Sequence, residues 1–214
     1  MVHLPTSTPS RRGGATGGAA PRALRDPAER DRRRAMSGAA HVGPLAAYAA
    51  DLRRAEPAAV VPDVDPCDGG TGARILFLME KPGPGAAASG FISRDNDDPT
   101  AEAAWRFLRE ADIPRRDVLF WNTAPWWNGT IRFTAAERRR GLEALPGMLD
   151  RLPRLRAAVA VGRQAERASA ILASRGLTLF ASAHPSPQVR AANTARWRDI
   201  PNVWREAAAA ARRT

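Results

Sequence analysis

Cysteine is all but missing from this 214-residue chain, where Cys67 stands alone. One thiol forms no intrachain disulfide, no four-ligand zinc site and no iron–sulfur cluster, and a reducing cytoplasm is the expected compartment. Lysine is nearly missing too: Lys81 is the single lysine among 33 basic residues. No apolar run nears the roughly 18 residues of a membrane span. The N-terminus lacks the apolar core of a secretory signal, so no membrane partner is expected. Acidic residues are in deficit, 22 against 33 basic ones, for a net charge of +11.

The positive balance is not confined to one end. Residues 74–214 hold 23 basic and 14 acidic side chains, a net of +9. Such an excess suits a polyanion, because counterion release drives association with phosphate backbones. Solubility alone is the other reading of the same charge.

Residues 1–42 contain no Phe, Trp or Tyr and are rich in Gly, Pro, Ala and Arg. With little apolar surface to bury against its ordering entropy, this segment reads as a disordered basic tail. A role in holding nucleic acid and a leader upstream of a start at Met36 are both open. Residues 43–72 read as a short helix (44–54) and a connector ending in Asp68-Gly69-Gly70-Thr71-Gly72. Residues 73–214 read as the core domain. Apolar strands are expected at 74–79, 117–121, 157–162 and 177–182, and helices at 99–111, 134–152, 164–174 and 201–212. Thr134 and Glu137 have capping-box spacing. The alternation predicts an α/β fold, a three-layer α/β/α sandwich around a short, mainly parallel four-stranded sheet. There is no internal repeat.

Three short segments follow these strands, and in a parallel sheet strand carboxyl ends converge on one crevice. Glu80-Lys81-Pro82-Gly83 leaves the first strand in a loop that lets backbone approach a ligand. Glu80 is a candidate to orient or activate water, with Asp95 and Asp97 as alternatives. Lys81 is a candidate for contact with a phosphate or a carboxylate. An amine beside a reacting sugar carbon also raises the idea of a Schiff base. Phe91 is a candidate to stack on an extruded base; as a core residue it is equally ordinary. Asn122 ends the second strand, and its carboxamide offers two donors and an acceptor, matching the edge of a uracil-like base; a strand-end turn cap is the other reading. Trp126-Trp127 read as a DNA contact, a pocket cover or core. His184 ends the last strand before Pro185-Ser186-Pro187, whose two prolines stiffen the loop and aim the imidazole at developing charge. Ser186 is a candidate phosphate contact.

These motifs, in order and spacing, resemble the uracil-DNA glycosylase superfamily over about residues 74–204. Glu80-Lys81-Pro82-Gly83 resembles that family's Gly-Glu-Ala-Pro-Gly motif, Leu119-Phe120-Trp121-Asn122 its base-reading segment, and His184-Pro185-Ser186-Pro187 its last motif. Three features depart: Met79 replaces the opening glycine, Lys81 stands where the best-known branch has a water-activating aspartate, and the cysteines of a cluster-bearing branch are missing. The resemblance implies a divergent, cluster-free DNA glycosylase without cofactor or metal. It would act as a monomer on deaminated DNA in the cytoplasm, at the nucleoid. Glu80 would position water, Asn122 and Phe91 would hold the base, and His184 would stabilise the leaving anion. The Gln188-Val189-Arg190 loop would wedge into the vacated stack, with Lys81, Pro82, Gly83, Ser186 and Pro187 shaping the DNA-facing loops. Two other classes share this pattern: a non-catalytic module binding damaged DNA, and a hydrolase of free nucleosides.

Overall fold

The computed structural model of the protein describes residues 20–213. Among the described residues, six strands and nine α-helices follow in order. They are α1 (Pro27–Ala35), α2 (Gly43–Ala55), β1 (Asp63–Val64), β2 (Ile75–Met79), α3 (Pro84–Ser89), β3 (Phe91–Ile92), α4 (Pro99–Glu110), β4 (Val118–Asn122), α5 (Ala135–Leu149), β5 (Ala157–Val161), α6 (Ser169–Ala173), β6 (Thr178–Ser182), α7 (Pro187–Ala192), α8 (Thr194–Arg198) and α9 (Ile200–Arg213).

Four strands form one parallel sheet in the order β4-β2-β5-β6. The central strands β2 and β5 and the edge strand β4 are apolar and buried along nearly their whole length, as expected where helices cover both faces. From β2 the chain crosses to β4 on one side, then returns past β2 to β5 on the other. Right-handed crossovers running in opposite directions place their helices on opposite faces, so α4 and α5 flank the sheet as outer layers. The reversal at β2 opens a crevice at the strands' carboxyl ends.

The core is aromatic on the α4–α9 side. Trp204 of α9 packs at a tilt against Phe77 of β2 with ring centroids 4.5 Å apart, and Phe107 of α4 meets Trp197 edge-on at 4.7 Å. The Trp204 indole N–H donates to the Ser182 hydroxyl at 3.1 Å. Helix α9 buries Trp204, Ala207, Ala208 and Ala211, the i, i+3, i+4, i+7 stripe of a helix facing a core. The expected capping box of α5 forms: the Thr134 hydroxyl accepts from the Glu137 N–H and the Glu137 carboxylate accepts from the Thr134 N–H.

Two expectations about the N-terminal half need correction. Residues 1–19 of the expected disordered tail lie outside the described residues, but residues 20–42 are folded onto the domain. Leu24 is buried, its N–H donates to the Asp95 carbonyl at 3.0 Å, and Arg33 of α1 is fully buried. Its guanidinium pairs with Asp65, and with Asp95 at 2.7 Å. Charge pairing rather than aromatic burial orders this segment, which composition alone does not register. The helix expected at 44–54 forms as α2, but neither it nor the connector after it stands apart from the domain. Val42, Leu45, Ala49, Val61 and Val64 join the main hydrophobic core, and β1 pairs in parallel with β3.

Candidate functional site

One cavity of about 750 Å³ opens at the carboxyl ends of the sheet. Glu80, Asn122 and His184 all line it. Their convergence follows from register: Met79 pairs with Asn122 across β2 and β4, and β6 ends two residues before His184.

Asn122 is buried at 3 % exposure, and its carboxamide has no hydrogen-bond partner among the described residues. A buried amide edge ordinarily finds a partner in the protein, so this edge is left for whatever enters the cavity. Glu80 is half-buried and its Oε1 accepts from the Gln164 N–H at 3.4 Å. Burial pushes its carboxyl above the ordinary range, against the Gln164 hydrogen bond and the nearby Arg163 charge. Gly162, with φ +90°, gives Glu80 its place: a Cβ there would lie 2.7 Å from Glu80 Oε1. Burial lowers the His184 imidazole to about 4, so near pH 7 it is a neutral ring able to donate one N–H.

His184 and Pro185 lie in a loop as expected, but its continuation is not a loop. Ser186 caps α7, its Oγ accepting from the Val189 N–H at 3.4 Å. Gln188 and Arg190 are exposed on that helix, because Ser-Pro is a helix-start signal. Gln188 and Pro187 line the cavity, while the Arg190 guanidinium lies 5.2 Å from the Trp197 ring. Pro82 and Gly83 line the cavity as well, and Gly83 leads into α3.

Phe91 does not reach the site. It is 2 % exposed on β3 and absent from the cavity wall, because its register opposite Asp63 turns it into the protein. Phe120, Phe133 and Ile92 supply the apolar wall instead. Asp95 and Asp97 are also removed from water activation. Asp95 is bound by Arg33 and Arg115, Asp97 pairs with Arg22 at the surface, and neither lines the cavity. Lys81 meets a carboxylate: its Nζ donates to Glu137 Oε1 at 2.6 Å, to Asn128 Oδ1 at 2.7 Å and to the Arg132 carbonyl at 3.1 Å. An ammonium with three acceptors is a structural tie rather than a free nucleophile. Although burial opposes the charge on Glu137, hydrogen bonds from Lys81 and Thr134 hold its carboxyl below the ordinary range. Trp126 is core and Trp127 is half-buried, its backbone bridged to Val60; neither covers the cavity.

Sequence reasoning missed Arg94, Phe133 and Ile131, which all line the cavity. Ile131 is 81 % exposed, an unusual position for a large apolar side chain. Its signal was present as an apolar residue in the polar run Asn128-Gly129-Thr130-Ile131-Arg132. Arg94 gave no contrast in so arginine-rich a chain. Among the described residues, no cluster of three or more His, Cys, Asp or Glu is arranged to hold a metal, and no helix is long and apolar enough to cross a membrane.

No curated protein matches the chain. Residues 66–208, two thirds of the chain, match the model of the Uracil DNA glycosylase superfamily, and that span contains all three strand-end groups and the cavity they share. By its sequence over that span, as by its parallel α/β sheet, the chain belongs to the uracil DNA glycosylase superfamily, a family of DNA glycosylases.

Proposed function

We propose that this protein is a DNA N-glycosylase that extrudes uracil, or a related deaminated base, from DNA and hydrolyses its N-glycosidic bond. The observation that carries the reading is the meeting of Glu80, Asn122 and His184 in one cavity, with the Asn122 edge unpartnered. A base inside a duplex is out of reach of such a cavity, so it must be flipped out at a cost of a few kcal/mol. Asn122 then reads the carbonyl and imide edge, and Phe120 and Phe133 offer apolar surface to the ring.

Cleavage breaks the bond from the sugar C1′ to the base nitrogen. The electron pair leaves with the base, and positive charge grows on the sugar. The neutral His184 N–H donates to the base oxygen that becomes anionic, a fixed dipole aimed at developing charge. Glu80, ionised, holds a water against C1′. The water oxygen bonds to that carbon, its proton passes to the Glu80 carboxylate and on to solvent, and the departed base anion takes a proton from solvent, leaving an abasic sugar and the free base. Ile131, apolar and exposed at the rim, fills the stacking gap that extrusion leaves.

The test is base release from duplexes carrying a single uracil, hypoxanthine or xanthine. Release from at least one duplex is expected. Release from none, with folded protein, refutes the reading in favour of a binding module. Release from a free nucleoside but not from DNA would instead support the small-substrate hydrolase.

A further inference from the structure

Arg94 is 6 % exposed and lines the cavity. Its Nε is buried without an acceptor, and among the described residues no hydrogen bond or ion pair engages its terminal nitrogens. An arginine stays protonated in a protein, and a buried cation without a partner is costly. Its neighbours show the contrast. Arg33 is fully buried and Arg115 largely so, and every guanidinium nitrogen of both is engaged. Arg115 donates to Asp68 at 2.8 Å, and to Asp65 and Asp95 at 2.6 Å each. These three carboxylates attract Arg94 through space and Arg115 repels it. Yet Arg94 bonds to none of them, even though Asp68 Oδ2 and Asp95 Oδ1 are themselves buried without partners. The guanidinium is thus held off the internal acids.

We infer that Arg94 is a binding residue for a phosphate group of the substrate nucleotide whose base meets Asn122 and His184. A planar guanidinium fits phosphate oxygens in pairs. A phosphate also brings the negative charge that a base carbonyl lacks. The cavity volume lies in the upper range of small-molecule sites, leaving room beyond one pyrimidine ring. The identity of the nucleotide rests on the proposed glycosylase reading; the capture of an oxyanion does not.

Two measurements test this. In the first, thermal unfolding of wild type and Arg94→Met is followed with and without inorganic phosphate. Phosphate should stabilise the wild type and leave the variant unmoved, and the variant alone should melt no lower than wild type, since an unpaired buried cation has been removed. In the second, uracil duplexes carry a neutral methylphosphonate on the 5′ or the 3′ side of the lesion. One of the two should weaken wild-type binding about tenfold to a hundredfold, the scale of a charge-assisted contact. Arg94→Met should lose as much on the unmodified duplex and be indifferent to that methylphosphonate. An unchanged phosphate response in the variant, penalties that multiply, or a variant that melts far below wild type each overturns the inference. If uracil DNA is neither bound nor cut while the phosphate response still depends on Arg94, the glycosylase reading fails and the anion site stands. If uracil is excised with no phosphate dependence on Arg94, the reverse holds.

Discussion

Replacing Arg33 by Met tests how the N-terminal segment supports the site. Arg33 is fully buried. Besides Asp65 and Asp95, its guanidinium engages Glu29 at 2.8 Å. Methionine matches the stem but leaves Arg115 as the one cation paired with Asp65 and Asp95 among the described residues. Removing one partner of a buried ion pair costs about 3–5 kcal/mol. Arg115 keeps part of the compensation, so about 3 kcal/mol is expected. For a domain of this size each kcal/mol moves the melting temperature by about 2–4 °C, so a fall of about 6–12 °C follows. The loss should reach the site as well, because Asp95 sits in the Ser93–Asn96 turn whose Ser93, Arg94 and Asn96 line the cavity. Differential scanning calorimetry gives the first quantity and base-release kinetics the second. Adding Asp65→Asn to Arg33→Met should recover part of the stability, since it removes one uncompensated charge. A melting temperature within about 2 °C of wild type for Arg33→Met, or no recovery in the double variant, would refute the reasoning.

Other outcomes follow from the same geometry. Glu80 must be ionised to hold water and burial raises its carboxyl, so kcat/KM should fall with decreasing pH along a limb centred above the ordinary 4.5 of glutamate; a limb centred below 4.5 would remove Glu80 from that role. The folded His184 binds a proton only near pH 4 whereas the unfolded one does so near 6.5. The unfolded state therefore binds more protons across that window, and the His184 contribution to stability declines as pH drops from about 6.5 through 4, by up to about 3 kcal/mol. His184→Gln should show a shallower decline in urea titrations, and an equal slope would contradict the neutral ring. Borohydride treatment during turnover should trap no covalent DNA adduct, because Lys81 is bound to Glu137, while Lys81→Met should cost about 2 kcal/mol by leaving that buried carboxylate without its cation; a trapped adduct would reverse the assignment. Ile131→Ala should lower excision from duplex several-fold with an unchanged melting temperature, since the side chain is 81 % exposed; equal rates on duplex would exclude a wedge.

The sheet and its strand-end groups were legible because they rest on short, strong signals. Continuous apolar runs such as Ile75–Met79 and Ala157–Val161 mark buried parallel strands, and strand ends in such a sheet meet by topology. What was hidden depends on contacts distant in sequence. Nothing local to Arg33 says that Asp65 and Asp95 await it, so its segment read as disordered. The two-residue pairing of β1 with β3 is too short to leave a periodic pattern, and that pairing decides that Phe91 points away from the cavity. Lys81 stood out by rarity, a property of composition, whereas its role is set by Glu137 more than fifty residues later.

The central claim is that Glu80, Asn122 and His184 act together on one extruded base. Single-turnover release of free uracil from a duplex, measured for wild type, Glu80→Gln, Asn122→Ala and His184→Ala with folding checked in each, tests it most directly. Release by wild type, with the rate reduced at least about a hundredfold in every variant, is the result expected. Wild-type rates in any one of the three folded variants would contradict the shared site, and no release by wild type would contradict the proposed activity itself.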